Sequence, residues 1–207
     1  MGGFRPAEFG NSISGDAEIH PTALVAGKNV RIGNGCRIGP HVVVNEYSLL
    51  GEGVTVGPGS VLGADPFIFA EDQGRQVRVE PAGGVLIEKK VTIHANACIE
   101  RSLVPGYTRI GEYSKVDNLV HIGNHASIGK RSYVVASSLV GMNARIGDDA
   151  WVGPRVIVGD HLEIGDRSEL TMGSVVEKDI GAGMIVKGNF VMELGRFRAF
   201  TLGSRKG

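Results

Sequence analysis

RIGEYSKVDNLVHIGNHASIGKRSYVVASSLVGMNARIGDDAWVGPRVIVGDHLEIGDRSELTMGSVV, residues 109–176, carries an aliphatic residue at every sixth position. Ile110, Val116, Ile122, Ile128, Val134, Val140, Ile146, Val152, Val158, Ile164, Leu170 and Val176 form the column. Two flanking columns keep the same register. The next residue is usually glycine, as at Gly111, Gly123, Gly129, Gly141 and Gly147, and the residue two before is small, as at Ser114, Ala126, Ser132, Ser138 and Ala144. An even period places the aliphatic residue and its small neighbour on one face of a short strand, whereas an amphipathic helix needs a period of 3.6. Glycine then takes the sharp turn where a Cβ would clash. Three strands and three turns close a triangular coil, and coils stack about 4.8 Å apart. The expected fold is an all-β parallel β-helix.

The period extends upstream through Ile32, Ile38, Val44, Leu50, Val56 and Leu62, and through Ile87, Ile93 and Ile99. It is broken at 64–84, ADPFIFAEDQGRQVRVEPAGG, which must loop out, and again at 100–109, ERSLVPGYTR. The expected organisation is an N-terminal cap at 1–18, the β-helix at 19–186, and a C-terminal extension at 187–207. That extension reads as a short basic helix or a strap, with Lys187, Arg196, Arg198, Arg205 and Lys206 forming a solvated face or meeting phosphates or an acidic carrier surface.

Composition excludes several classes of function. Lys+Arg and Asp+Glu are both 22, so no basic field favours nucleic acid. No run of apolar residues spans a bilayer, and the first ten residues lack the pattern of a signal peptide. Cys36 and Cys98 have neither disulfide-framework nor metal spacing, so a reduced, cytoplasmic protein without a metal site is expected. The 32 glycines, against an apolar content of 42%, argue for a repeated turn rather than disorder.

These columns resemble the bacterial hexapeptide transferase superfamily, which implies a left-handed helix and a homotrimer. Within it, GADPFIFAEDQGRQVRV, VTIHANACIERS, DNLVHIGNHASIG (117–129) and GDHLEIGD (159–166) are similar to the UDP-3-O-acylglucosamine N-acyltransferase family. The resemblance implies transfer of an acyl group from acyl-CoA or acyl carrier protein to an amino sugar in cell-surface glycan or lipid biosynthesis. The donor is then a substrate, and no bound cofactor is expected. The family carries a separate nucleotide-gripping domain ahead of its helix, whereas about eighteen residues precede the first coil here, so the expectation is a shorter relative acting on another amino sugar. The family segment reads His-Asn where this chain reads Asn124-His125, so asparagine stands at the position matching the general base.

Such a transfer needs a base for the attacking amine and a donor for the oxyanion. His125 is the first candidate base and His121 the second. His161 is an assisting residue, since Val158 and Ile122 lie two 18-residue coils apart and the histidine three beyond each shares one edge. The turn amide near Gly141 is the candidate oxyanion donor. Asp117, Asn118 and Asn124 are candidate substrate ligands, although Asp and Asn also suit turns for conformational reasons. Phe67 and Phe69 line an acyl groove or anchor their own loop. Trp151 is interface packing or a lid over the donor, and Lys187 a donor contact. His20, His41 and His94 read as structural or surface residues. Two alternatives stand beside this reading: a non-catalytic β-helix that binds ligand or scaffolds an assembly, and a sugar O-acetyltransferase.

Overall fold

A computed structural model describes residues 7–188, and among these all regular structure is strand. The strands form three parallel sheets, the faces of a triangular prism. The first face carries Ser127–Ile128 and its stacked equivalents, the second Tyr133–Val134, and the third Leu139–Val140. Where the period is unbroken, an aliphatic residue pairs with the one 18 positions on, as Ile110 with Ile128 and Ile128 with Ile146. The architecture is a left-handed parallel β-helix. Paired strands begin at Ser12–Ile13, inside the segment expected as a cap, and end at Ile185–Val186. The extension beyond 188, with Arg196, Arg198, Arg205 and Lys206, lies outside the described residues.

The core is the aliphatic column itself: Ile87, Ile93, Ile99, Ile110 and Ile122 are wholly buried. Burying each such side chain stabilises the prism by about 1.5–3 kcal/mol relative to leaving it in water. The small column fills the corners and ties successive coils together. Ser132 Oγ donates to Gly147 O at 2.8 Å and accepts from Ala150 N at 3.0 Å, and Ser114 and Ser138 repeat the pattern one coil and one corner away.

The glycine column has a different cause from the one expected. The left-handed residue of each turn lies three beyond the aliphatic position, where Tyr113, Leu119, His125, Arg131, Ser137 and Asn143 have φ between 57° and 63° apart from Arg131 at 55°. Glycine is needed one beyond it because the next coil passes so close. A Cβ at Gly129 would stand 2.4 Å from the carbonyl carbon of Gly147, and one at Gly147 would stand 2.5 Å from Asp166 N.

Both breaks in the period leave the prism at one corner. The 64–84 excursion departs from the third face after Val61–Ala64 and returns on the first at Gly84–Ile87. Inside it, Phe69–Asp72 and Arg75–Arg78 pair as an antiparallel hairpin. The second break runs from Cys98–Glu100 on the third face to Tyr107–Ile110 on the first. Arg101 fastens the two insertions together, donating from Nε to Gly83 O at 3.0 Å and lying over the Tyr47 ring at 5.2 Å. Stacking is preserved across them, since Leu62 pairs with Ile99 and Ile99 with Ile122.

Candidate active site

The histidine segment occupies this same third-to-first corner, one coil beyond the insertions. His121 projects outward from the third face, between Cys98 and Leu139 in register. It lines a cleft of about 270 Å³ with Glu100, Asn124, Met142 and Asp160, walled by Phe67 and Ile68 of the excursion. His121 Nε2 lies 3.6 Å from Glu100 Oε1. The other oxygen, Glu100 Oε2, accepts from Asn124 N at 2.9 Å and lies 3.5 Å from Asn124 Nδ2. Glu100 is largely buried, with its side chain 13% exposed, and Asn124 is 5% exposed. Burial first and Glu100 second push the Cys98 thiol up, which keeps it neutral beside the pair.

His125 turns to the other side of the corner. With Asn143, Arg145, His161 and Glu163 it lines a second cavity, of about 330 Å³. His125 and His161 therefore share the edge that their 36-residue separation implies, with Asn143 between them in the same turn position. Ser102 Oγ lies 2.8 Å from His125 Nδ1 and donates its single proton to Val104 O at 2.8 Å. The hydroxyl must then accept from Nδ1–H, which leaves the His125 lone pair on Nε2.

Other candidates are placed elsewhere. The Gly141 N–H donates to Val158 O at 2.9 Å, so this amide belongs to the inter-coil ladder and is not open to an oxyanion. Met142 N, its neighbour, donates to Asp160 Oδ1 at 2.7 Å. Trp151 stands on the second face, stacked on Tyr133 at 5.5 Å between ring centroids, and does not line either cavity. Asp117 and Asn118 form the second-to-third corner, away from the cleft. Asp117 accepts from Asn118 N and Ala136 N, and Asn118 accepts from Ala95 N, so turn chemistry accounts for both. Lys187 lines a cavity at the C-terminal coil with Val176 and Ile180. Phe67 and Phe69 meet edge to face at 5.1 Å, and Phe67 is 89% exposed.

Glu100 was absent from the residues singled out in the sequence. Its signal is there: it occupies the glycine column after Ile99, as Glu88 does after Ile87. A large acidic residue where the next coil usually excludes a Cβ has to be accommodated by something local.

The prism and its period define a class of protein: this is a hexapeptide-repeat β-helix. The profile described as "Bacterial transferase hexapeptide (six repeats)" matches residues 29–64 and 143–178, on either side of the corner insertions and the histidine segment. The chain is similar to the UDP-3-O-acylglucosamine N-acyltransferases of Anaeromyxobacter sp. (strain Fw109-5), 37% identical over 117 residues, and Leptothrix cholodnii, 38% identical over 143 residues. Those matches cover 54% and 52% of this chain, which spans only 33% and 41% of the two relatives' lengths. Among solved structures, the Arabidopsis UDP-N-acetylglucosamine acyltransferase superposes with a TM-score of 0.67 at 22% identity, covering 94% of this chain and 79% of that one. LpxA from Acinetobacter baumannii gives 0.63 at 22% identity, covering 91% and 77%. At that identity the superpositions establish the fold alone. No helix among the described residues is long and apolar enough to cross a membrane.

Proposed function

We propose that the chain is an acyltransferase that moves an acyl group from a thioester, acyl-CoA or acyl carrier protein, to the amine of a nucleotide-linked amino sugar. The observation that carries this is the corner cleft, where a histidine faces a largely buried carboxylate beneath an apolar wall of Phe67, Ile68 and Leu139. The names of the partial relatives support the same chemistry. His121 is the general base. It takes the amine proton as nitrogen attacks the thioester carbon, then returns that proton to sulfur as the C–S bond breaks and the thiol leaves. The apolar wall suits an acyl chain, and Asn124 and Asp160 supply polar groups beside the acceptor.

A second assignment of the base, His125, has its own support. The bond to Ser102 leaves its Nε2 lone pair beside the cavity it shares with His161. A homotrimer is also proposed. The outward column of the third face is apolar at Leu24, Val43, Val61, Leu139, Ile157 and Val175, and several of these are exposed, which suits cover by a neighbouring prism.

The test is thiol release from acyl-CoA and acyl carrier protein donors in the presence of UDP-linked amino sugars, with the acylated product identified by mass spectrometry. An amide product supports the proposal, and an ester would move it to O-acylation. Folded protein with no thiol release for any donor and acceptor pair would overturn it in favour of a ligand-binding scaffold.

A further inference from the structure

Two corners of one coil carry the same device with one residue changed. At the first-to-second corner, Glu88 stands in the glycine column. Its Oε2 accepts Glu112 N at 3.1 Å, and its Oε1 pairs with Arg109, the outward residue just before Ile110. At the third-to-first corner, Glu100 stands in the glycine column, its Oε2 accepts Asn124 N at 2.9 Å, and its Oε1 faces His121, the outward residue just before Ile122. In both, one oxygen is fixed by a backbone N–H of the next coil, so the other is aimed at the outward side chain of that coil. Arginine makes the first pair a permanent ion pair. Histidine makes the second a group able to exchange a proton, and only the second lines the cleft with Phe67 and Ile68.

We propose that Glu100 is a positioning residue for His121, held in that role by Asn124. Oε1 stands 3.6 Å from Nε2, and a small turn of the ring brings it within reach to accept from His121 Nε2–H, which selects that tautomer and leaves the basic lone pair on Nδ1. The carboxylate also stabilises the imidazolium formed when Nδ1 takes the amine proton. Asn124 thus acts as the clamp of the carboxylate rather than as a base. The inference rests on the acyltransferase reading above. The other groups that face His121 leave Glu100 as its partner. Asp160, across the cleft, has Oδ1 engaged by Met142 N, the Cys98 thiol is held neutral, and Leu139 is apolar.

Glu100→Gln tests this, because glutamine keeps an oxygen for Asn124 N and so keeps the corner. Glu88→Gln is the matched control on the structural copy of the device. The expected result is a fall in kcat on the order of 10²–10⁴-fold for Glu100→Gln with KM little changed, and no fall for Glu88→Gln. Side-chain ¹⁵N spectra of the wild-type chain, read without substrate, give a single His121 tautomer with the proton on Nε2, whereas in Glu100→Gln the glutamine NH2 donates to Nε2 and moves the ring proton to Nδ1. Full kcat in Glu100→Gln, a rise confined to KM, or equal losses in both variants would overturn the positioning role. A mixed tautomer in the wild type would overturn the pairing. If the wild type releases no thiol at all, the acyltransferase reading falls and the catalytic role falls with it, while the ¹⁵N spectra still decide the pairing.

Discussion

The first-to-second and third-to-first corners are built from the same hexapeptide and do opposite work. At the first, Gly111, Gly129, Gly147 and Gly165 let successive coils approach until a Cβ would lie 2.4–2.7 Å from the next backbone. At the second, the nearest backbone stands 2.8 Å away at Gly141, 2.9 Å at Gly123 and 3.2 Å at Gly159, and both insertions leave the prism. A corner closed coil after coil from Gly111 to Gly165 is a hinge pin. A corner that some coils leave open gains a wall, a floor and polar groups held by backbone amides. The difference shows how a monotonous scaffold acquires a site without changing its core.

The comparison breaks most sharply if His121 and Arg109, equivalent outward residues at the two corners, are each changed to alanine. His121→Ala is expected to lower the acyl-transfer rate by about 10²–10⁴-fold. Arg109→Ala should leave it unchanged, and steady-state kinetics on both variants decides. His125→Ala separates the two assignments of the base in the same assay, and a loss as deep as that of His121→Ala would move the base to the second cavity.

The next effect concerns packing. Gly147→Ala places a methyl 2.5 Å from Asp166 N, against backbone that has no rotamer to give, and should destabilise by about 3 kcal/mol or more. Gly159→Ala meets Val176 O at 3.2 Å and the Leu162 side chain at 3.4 Å, and should cost far less. Urea midpoints of the two variants measure the contrast, and equal losses would mean the corners are equally tight. Ser132→Ala removes the hydroxyl that joins Gly147 O to Ala150 N in a buried corner, for an expected loss of about 1–3 kcal/mol in the same measurement.

The smallest effect is on the surface of the closed corner. The Arg131 fork, bonded to both oxygens of Asp149 at 2.7 Å, holds that carboxyl below the usual carboxylate range. A lowered carboxyl contributes stability above its ordinary titration range and loses it as pH falls through the lowered value. Asp149→Asn should therefore lower the thermal midpoint slightly at neutral pH and not at strongly acid pH. An equal effect at both would rule out the ion pair as its source.

Much of this was legible because the period is strict. Ile122 and Val158 lie 36 residues apart, so the shared edge of His125 and His161 follows from counting. The role of Gly141 did not follow, because a turn amide looks available until the coil above it is in place and Val158 O takes its proton. The lid alternative for Trp151 fails for a related reason: the period fixes that a residue points outward but leaves open which face of the prism lies beside the insertions. Glu100 is marked by its place in the glycine column, but the mark carries meaning only once that column is a contact between coils rather than a turn requirement.

The sequence by itself determined the prism, its core and the stacking of its corners, since a six-residue alternation of large aliphatic, glycine and small residues admits one way to bury its apolar side. Tertiary structure alone decided which of three equivalent corners carries the cleft of the proposed site. The insertions at 64–84 and 100–109 meet the histidine segment in space only when the coils stack, and there Glu100 finds His121, 21 residues further along the chain. Repetition specifies a scaffold locally, whereas a site needs residues from different coils at one corner, and that is a property of the closed helix.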